Sequence, residues 1–195
     1  MTDRARLVLA SGSPYRKALL ERLGVPFEVK VSQADEAPLP GENAEALTLR
    51  LAVAKACAVR PMAPDALIIG SDQVAVYDGE IVGKPGGFTE AARQLRRISG
   101  KTALLYTGLA LVNARTGRTQ TAVALFQVTF RALSEELIAR YLNKEQPYDC
   151  AGSVKSEGLG IALLDRFCGD DPTTLIGLPL IRLTRMLENE GYEVI

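Results

Sequence analysis

Two long apolar stretches, residues 103–113 and 119–131, stand either side of the short turn Ala114-Arg115-Thr116-Gly117. In the second, Ala124, Phe126, Val128 and Phe130 alternate with Val123, Leu125, Gln127 and Thr129, the period of two that belongs to a strand with unlike faces. The pair predicts a long hairpin, which makes part of any sheet antiparallel. Around it, shorter apolar runs alternate with helical spacing. Arg6–Ala10 reads as a first strand, Ser13 as the N-cap of a helix from Pro14 to about Leu23, and Phe27–Val31 as a second strand. Leu47, Leu51, Ala54 and Ala58 predict a helix over 44–59, stopped by Pro61 and Pro64. Further helices are predicted from Thr89 as cap to about Ser99, from Ser134 to Leu142, and from Leu175 to Leu187, where Gly177 and Pro179 disturb the first turn. Residues 159–165 read as a strand. Hairpin and alternation together predict an α/β fold on a mixed β-sheet, a single domain over 1–195.

The segment ALIIGSDQVAV, 66–76, poses a local problem. Ser71-Asp72-Gln73 interrupts what otherwise reads as a buried strand, and a carboxylate in apolar surroundings is costly unless paired, hydrogen-bonded or metal-bound. Either Gly70-Ser71-Asp72 is a turn between two strands, or Asp72 belongs to a site. A second hairpin is expected at Asp78-Gly79.

Composition narrows the chemistry. Lys+Arg and Asp+Glu both number 23, so no bulk charge draws the chain to nucleic acid or an anionic membrane. Arg93, Arg96 and Arg97 form one solvated helix face. Three widely spaced cysteines, Cys57, Cys150 and Cys168, without a CxxC pair, predict reduced, partly buried thiols. The N-terminal apolar stretch is too short for a signal peptide and no membrane span follows, so a cytoplasmic protein is expected. Histidine is absent altogether. That removes Ser-His-Asp and Cys-His catalysis and histidine-based zinc sites. An enzyme built from this chain would use a carboxylate base, and its metal would be an oxygen-ligated divalent cation such as Mg²⁺ or Mn²⁺.

Several stretches suit phosphate. LVLASGSPYRKALL, 7–20, joins a strand to a helix start with free N–H groups and adds Arg16 and Lys17; an ordinary capped helix with solvated basic residues explains it equally well. GEIVGKP, 79–85, fails as a P-loop, because only three residues separate its glycines and Pro85 replaces the magnesium-binding hydroxyl. Lys84 remains a phosphate candidate or a plain surface lysine. GLG, 158–160, lacks the third glycine of a dinucleotide fingerprint. Lys55 lies in a small, apolar helical stretch, aimed inward or snorkelling outward.

The blocks LASGSPYRKALL, DE at 35–36, LRLAVAKA, GSDQV, GKP, LRRISG, YTGL, CAGSVKSEGLGI and DPTTLIGLPLI run in order from residue 9 to 181. Together they resemble the Maf family of nucleotide pyrophosphatases. The resemblance implies a Maf/Ham1-like (ITPase-like) α/β fold, helices flanking a mixed sheet with a cleft between two lobes, often as a homodimer. It also implies hydrolysis of a nucleoside triphosphate between its α and β phosphates with a divalent metal. By the same resemblance Asp72 would be the proton acceptor, Glu36 and Asp72 would hold the metal, and Ser11, Arg16, Lys55 and Lys84 would hold the phosphates. Tyr15, Gln73 and Glu157 depart from the dTTP/UTP-directed branch and are similar to the branch acting on 7-methyl-GTP. A tyrosine face attracts a cationic methylated guanine, and a carboxylate can accept from its N1–H and N2–H. The alternatives are a dTTP/UTP pyrophosphatase of the same family and a non-catalytic nucleotide-binding regulator of cell division. The partners expected are a small-molecule nucleotide and a second copy of the chain in a homodimer, with no nucleic acid and no membrane.

Overall fold

The computed structural model describes residues 5–195; the first four residues of the stretch weighed above as a signal peptide lie outside them. Seven strands form one mixed sheet: β1 (Leu7–Leu9), β2 (Glu28–Val29), β3 (Leu67–Tyr77), β4 (Glu80–Val82), β5 (Thr102–Asn113), β6 (Thr119–Phe130) and β7 (Leu164–Cys168). Their order is β2-β1-β3-β5-β6-β7, with β4 paired to β3 off this path. β1 is parallel to both β2 and β3, whereas β3–β4 and β6–β7 are antiparallel. The helices are α1 (Pro14–Glu21), α2 (Ala44–Val59), α3 (Phe88–Ile98), α4 (Glu135–Glu145) and α5 (Leu180–Glu188).

The chain divides into two compact units. The first comprises the chain up to Asp72, Thr107–Ala124 and Asp171–Ile195; the second comprises Gln73–Tyr106 and Leu125–Asp170. In the first unit the apolar strands are explained by burial on both faces. Leu7 and Leu9 of β1 join Leu67 and Ile69 of β3 in a cluster with Leu19 and Leu20 of α1 and Leu183 and Leu187 of α5. The intervening Val8 and Ile68 pack with Ala56 and Val59 of α2. α2 comes unusually close to the sheet. A Cβ on Gly70 would collide with the Ala52 carbonyl oxygen, and one on Gly108 with that of Thr48. Two glycines on neighbouring strands thus let the helix backbone lie directly on them.

In the second unit α3 and α4 carry the buried Ala91, Leu95, Ile98, Ile138, Tyr141 and Leu142. Tyr77 at the end of β3 is buried and donates to the Gly152 carbonyl at 2.6 Å. Burial pushes its phenol well above the ordinary value. The predicted hairpin is present: Asn113 N–H donates to the Arg118 carbonyl, and Gly117 adopts a φ of 79°, which favours glycine.

Five expectations need correction. Ser71-Asp72-Gln73 is no turn; it lies inside the uninterrupted strand β3. Residues 159–165 are chiefly a 3₁₀ turn, Leu159–Leu163, and β7 follows it. The closing helix is split: a 3₁₀ turn Pro172–Ile176 ends at Gly177, whose φ is 109°, and α5 starts only after Pro179. Thr89 sits inside α3, whose N-cap is Gly87. Cys57 and Cys168 are exposed rather than partly buried, and among the described residues none of the three cysteines forms a disulfide. No helix among the described residues is long and apolar enough to cross a membrane.

Candidate active site

Asp72 sits in mid-strand on β3 and is only 7% exposed. Its partner is Lys55 of α2, 6% exposed, whose Nζ donates to Oδ1 at 2.7 Å. Lys55 therefore points inward, and the close seat of α2 on Gly70 and Gly108 is what brings it within reach. The same ammonium lies 3.0 Å from Oε2 of Glu36, a side chain that is 59% exposed. One cation thus gathers a buried and an open carboxylate.

Glu36 is carried by a loop that α2 also holds. Arg50, one and a half turns before Lys55, forms a bidentate pair with Glu42 at 2.6 and 2.8 Å and donates to the Ala37 carbonyl at 3.0 Å. Glu42 in turn accepts from Leu39 N–H, and Asp35 from Ala37 N–H. Hydrogen bonding to Arg50, chiefly, holds the Glu42 carboxyl down at about 2.

The start of α1 faces the same chemistry. Ser13 is the N-cap, accepting from Arg16 N–H, and Ser11 Oγ accepts from Ser13 N–H at 3.2 Å and from Arg16 Nη1 at 3.3 Å. Arg16 Nε donates to the Gly177 carbonyl at 2.9 Å. Burial draws the Arg16 guanidinium below its ordinary value, while the charges of Asp72 and Glu36 act in the opposite sense; it stays a cation. Ser71 Oγ lies 2.9 Å from both the Gly108 and Gly177 carbonyl oxygens and shares its one proton between them. Ser71 and Gly177 thereby join the strand that carries Asp72 to the arginine of α1. Neither carries a signal in the sequence: Ser71 suits a turn as well as a strand, and Gly177 reads as an irregularity in a helix.

The first unit thus brings together Ser11, Arg16, Glu36, Lys55 and Asp72, with Tyr15 half-buried beside Arg16 on α1. Gln73, Lys84 and Glu157 belong to the second unit. Gln73 follows Asp72 along β3, and Lys84 and Glu157 are exposed on loops. Those loops are tied to each other: the Gly83 carbonyl accepts from Gly152 N–H and from Gln94 Nε2, both at 3.3 Å, while Ser153 donates to Gln94 Oε1 at 2.5 Å. Among the described residues no group of three His, Cys, Asp or Glu side chains could hold a metal. Glu36 and Asp72, converging on one ammonium, do form a two-carboxylate oxygen set, which suits a hard divalent ion that takes its remaining ligands from phosphate and water.

The family model described as Maf-like protein matches residues 6–190. The chain belongs to the Maf family. This Maf chain is 57% identical over 189 residues to a 7-methyl-GTP pyrophosphatase of Nitrosococcus oceani, covering 97% of its own length and 95% of the relative's. It is 55% identical to a protein of the same name from Aromatoleum aromaticum, with 96% of each chain covered. A third such protein, from Cupriavidus pinatubonensis, is 54% identical, with 98% of this chain and 96% of the relative covered. Among solved structures, the Ham1 protein of Staphylococcus aureus matches with a TM-score of 0.54 at 11% identity, over 95% of the Maf chain and 99% of its own. The Maf chain therefore has the Ham1-like α/β fold.

Proposed function

We propose that this chain hydrolyses the α–β phosphoanhydride of 7-methyl-GTP, releasing the monophosphate and pyrophosphate and so clearing a modified nucleotide. The reaction is carried by the buried Asp72, held at 2.7 Å by Lys55 beside the start of α1. The printed names of the relatives support the choice of substrate. Asp72 takes the proton of the attacking water as the water oxygen bonds to phosphorus and the α–β bridging bond breaks. The bridging oxygen leaves with the pyrophosphate. Lys55 fixes the orientation of Asp72. Ser11, Arg16 and the first N–H groups of α1 bind phosphate oxygens, a charge-assisted arrangement at a helix N-terminus, and Lys84 adds a cation from an exposed loop. Glu36 and Asp72 would hold Mg²⁺ or Mn²⁺, which when bound offsets negative charge on the bridging and leaving oxygens.

Recognition of the base falls to Tyr15, Gln73 and Glu157. N7-methylation makes guanine cationic, so an aromatic face and a carboxylate favour it over an uncharged base. The same reading has a free nucleotide as the partner, in the cytoplasm and without nucleic acid or membrane. It includes a homodimer, which sedimentation would check.

The test is pyrophosphate release from 7-methyl-GTP, GTP, dTTP, UTP and CTP with each metal, for the wild type, Asp72→Asn and Glu157→Gln. Asp72→Asn is expected to remain folded and to lose about 10²–10⁴ in kcat, the range of general-base contributions. Glu157→Gln is expected to reduce the preference for the methylated purine. Near-normal turnover in Asp72→Asn would remove it as the base, and a wild-type preference for dTTP or UTP would move the chain to the pyrimidine-directed reading.

A further inference from the structure

Glu157 stands at the tip of a tight loop whose backbone is wound around one carbonyl. The oxygen of Lys155 accepts from both Gly158 N–H and Gly160 N–H at 3.1 Å. The loop is held from α4 on either side of Glu157. Tyr141 Oη accepts from Lys155 N–H at 3.0 Å, and Glu145 accepts from Leu159 N–H at 2.6 Å. A Cβ on Gly158 would lie 2.7 Å from the Glu145 carboxylate, so the chain passes directly over that group.

Glu145 makes a second contact. Its Oε1 lies 3.0 Å from Lys155 Nζ, and the Glu145 side chain is only 11% exposed. Lys155 therefore has two acidic neighbours: Glu145, which it pairs with, and Glu157, two residues along the chain. Both raise the affinity of the lysine for its proton, Glu145 most.

We propose that Glu145 is a positioning residue for substrate choice: by pairing with Lys155 it keeps that ammonium off Glu157 and leaves the Glu157 carboxylate available to a cationic base. The inference deepens the reading of Glu157 given above and rests on it. After Glu145, Glu157 is the carboxylate whose charge acts on Lys155. A Lys155–Glu157 pair would cancel the charge that distinguishes 7-methylguanine from guanine.

The experiment compares kcat/KM for 7-methyl-GTP and GTP, with UTP as a reference, in Glu145→Gln, Lys155→Met, the double variant and Glu157→Gln. Glutamine keeps an acceptor for Leu159 N–H but releases the lysine. Glu145→Gln should lower the 7-methyl-GTP to GTP preference about tenfold, roughly the value of one charge-assisted contact. The loss should appear in KM for the methylated substrate, with kcat for UTP unchanged. Adding Lys155→Met should restore the preference, since no ammonium is left to capture Glu157, and a purely structural role for Glu145 predicts no such rescue. Lys155→Met alone should keep or raise the preference, and it keeps the test open should Glu145→Gln melt below the assay temperature. A tenfold drop in Lys155→Met, an unchanged ratio in Glu145→Gln, or failure of the double variant to recover would each overturn the inference while leaving Glu157 in its role. If Glu157→Gln itself leaves the ratio unchanged, the reading of Glu157 falls and this inference falls with it.

Discussion

Lys55 meets two carboxylates in different surroundings, Asp72 buried and Glu36 open to water. The buried contact dominates its effect on stability, because an ion pair taken out of water is costly to break from one side. Lys55→Met would leave Asp72 desolvated against α2 without its hydrogen-bonded cation, facing the charges of Arg16 and Arg50 instead. It should lower stability by about 3 kcal/mol in urea denaturation, and adding Asp72→Asn should recover part of that loss by removing the stranded charge. Equal losses in the single and double variants would mean that Lys55 acts through its packing alone. Glu36 contributes little to this balance, so its substitution should affect activity more than folding.

At the scale of elements, α2 places two functional groups, Lys55 and the loop carrying Glu36. Arg50 holds that loop through Glu42, whose carboxyl is depressed from the ordinary 4.5 to about 2. The stability this pair contributes is fully present above about pH 4.5 and is lost as pH falls through about 2. Arg50→Met should therefore be less stable than the wild type at neutral pH, with the two denaturation midpoints converging as the pH is lowered through that window. A difference that stays constant down to pH 2 would assign the effect to lost packing instead.

The bounds of α2 were legible in the sequence because leucine and alanine spacing and two following prolines are local signals. So was the β5–β6 hairpin, from its alternation and its turn. What escaped depends on distant partners. The inward direction of Lys55 follows from Gly70 and Gly108, residues on strands far along the chain whose missing side chains admit the helix. The segment 159–165 reads as a strand because Leu159, Ile161 and Leu163 recur at every second position. Its actual course follows Glu145, fourteen residues before Leu159. Ser11, Arg16, Glu36, Lys55 and Asp72 could be proposed together from the family pattern, but the meeting of Glu36 and Asp72 on the Lys55 ammonium, and of Arg16 and Ser71 on the Gly177 carbonyl, could not.

For the molecule as a whole, charge and thiols set its behaviour toward surroundings. Equal numbers of acidic and basic residues leave the chain with no net charge at neutral pH. Cys57 and Cys168 are exposed, whereas Cys150 is half-buried. Titration of the native protein with an aromatic disulfide should modify two thiols rapidly and the third slowly, and a reducing agent should leave the melting temperature unchanged. Three fast thiols would mean that the segment around Cys150 opens readily.

The carbonyl of Gly177 serves Arg16 on one side and Ser71, next to Asp72, on the other, and it is presented by a backbone with φ of 109° that other residues rarely adopt. In a saturation scan scored by growth or turnover, position 177 should tolerate as little change as Asp72. A reader of such a scan would place the residue in the reaction centre, although it offers no side chain for the scan to remove.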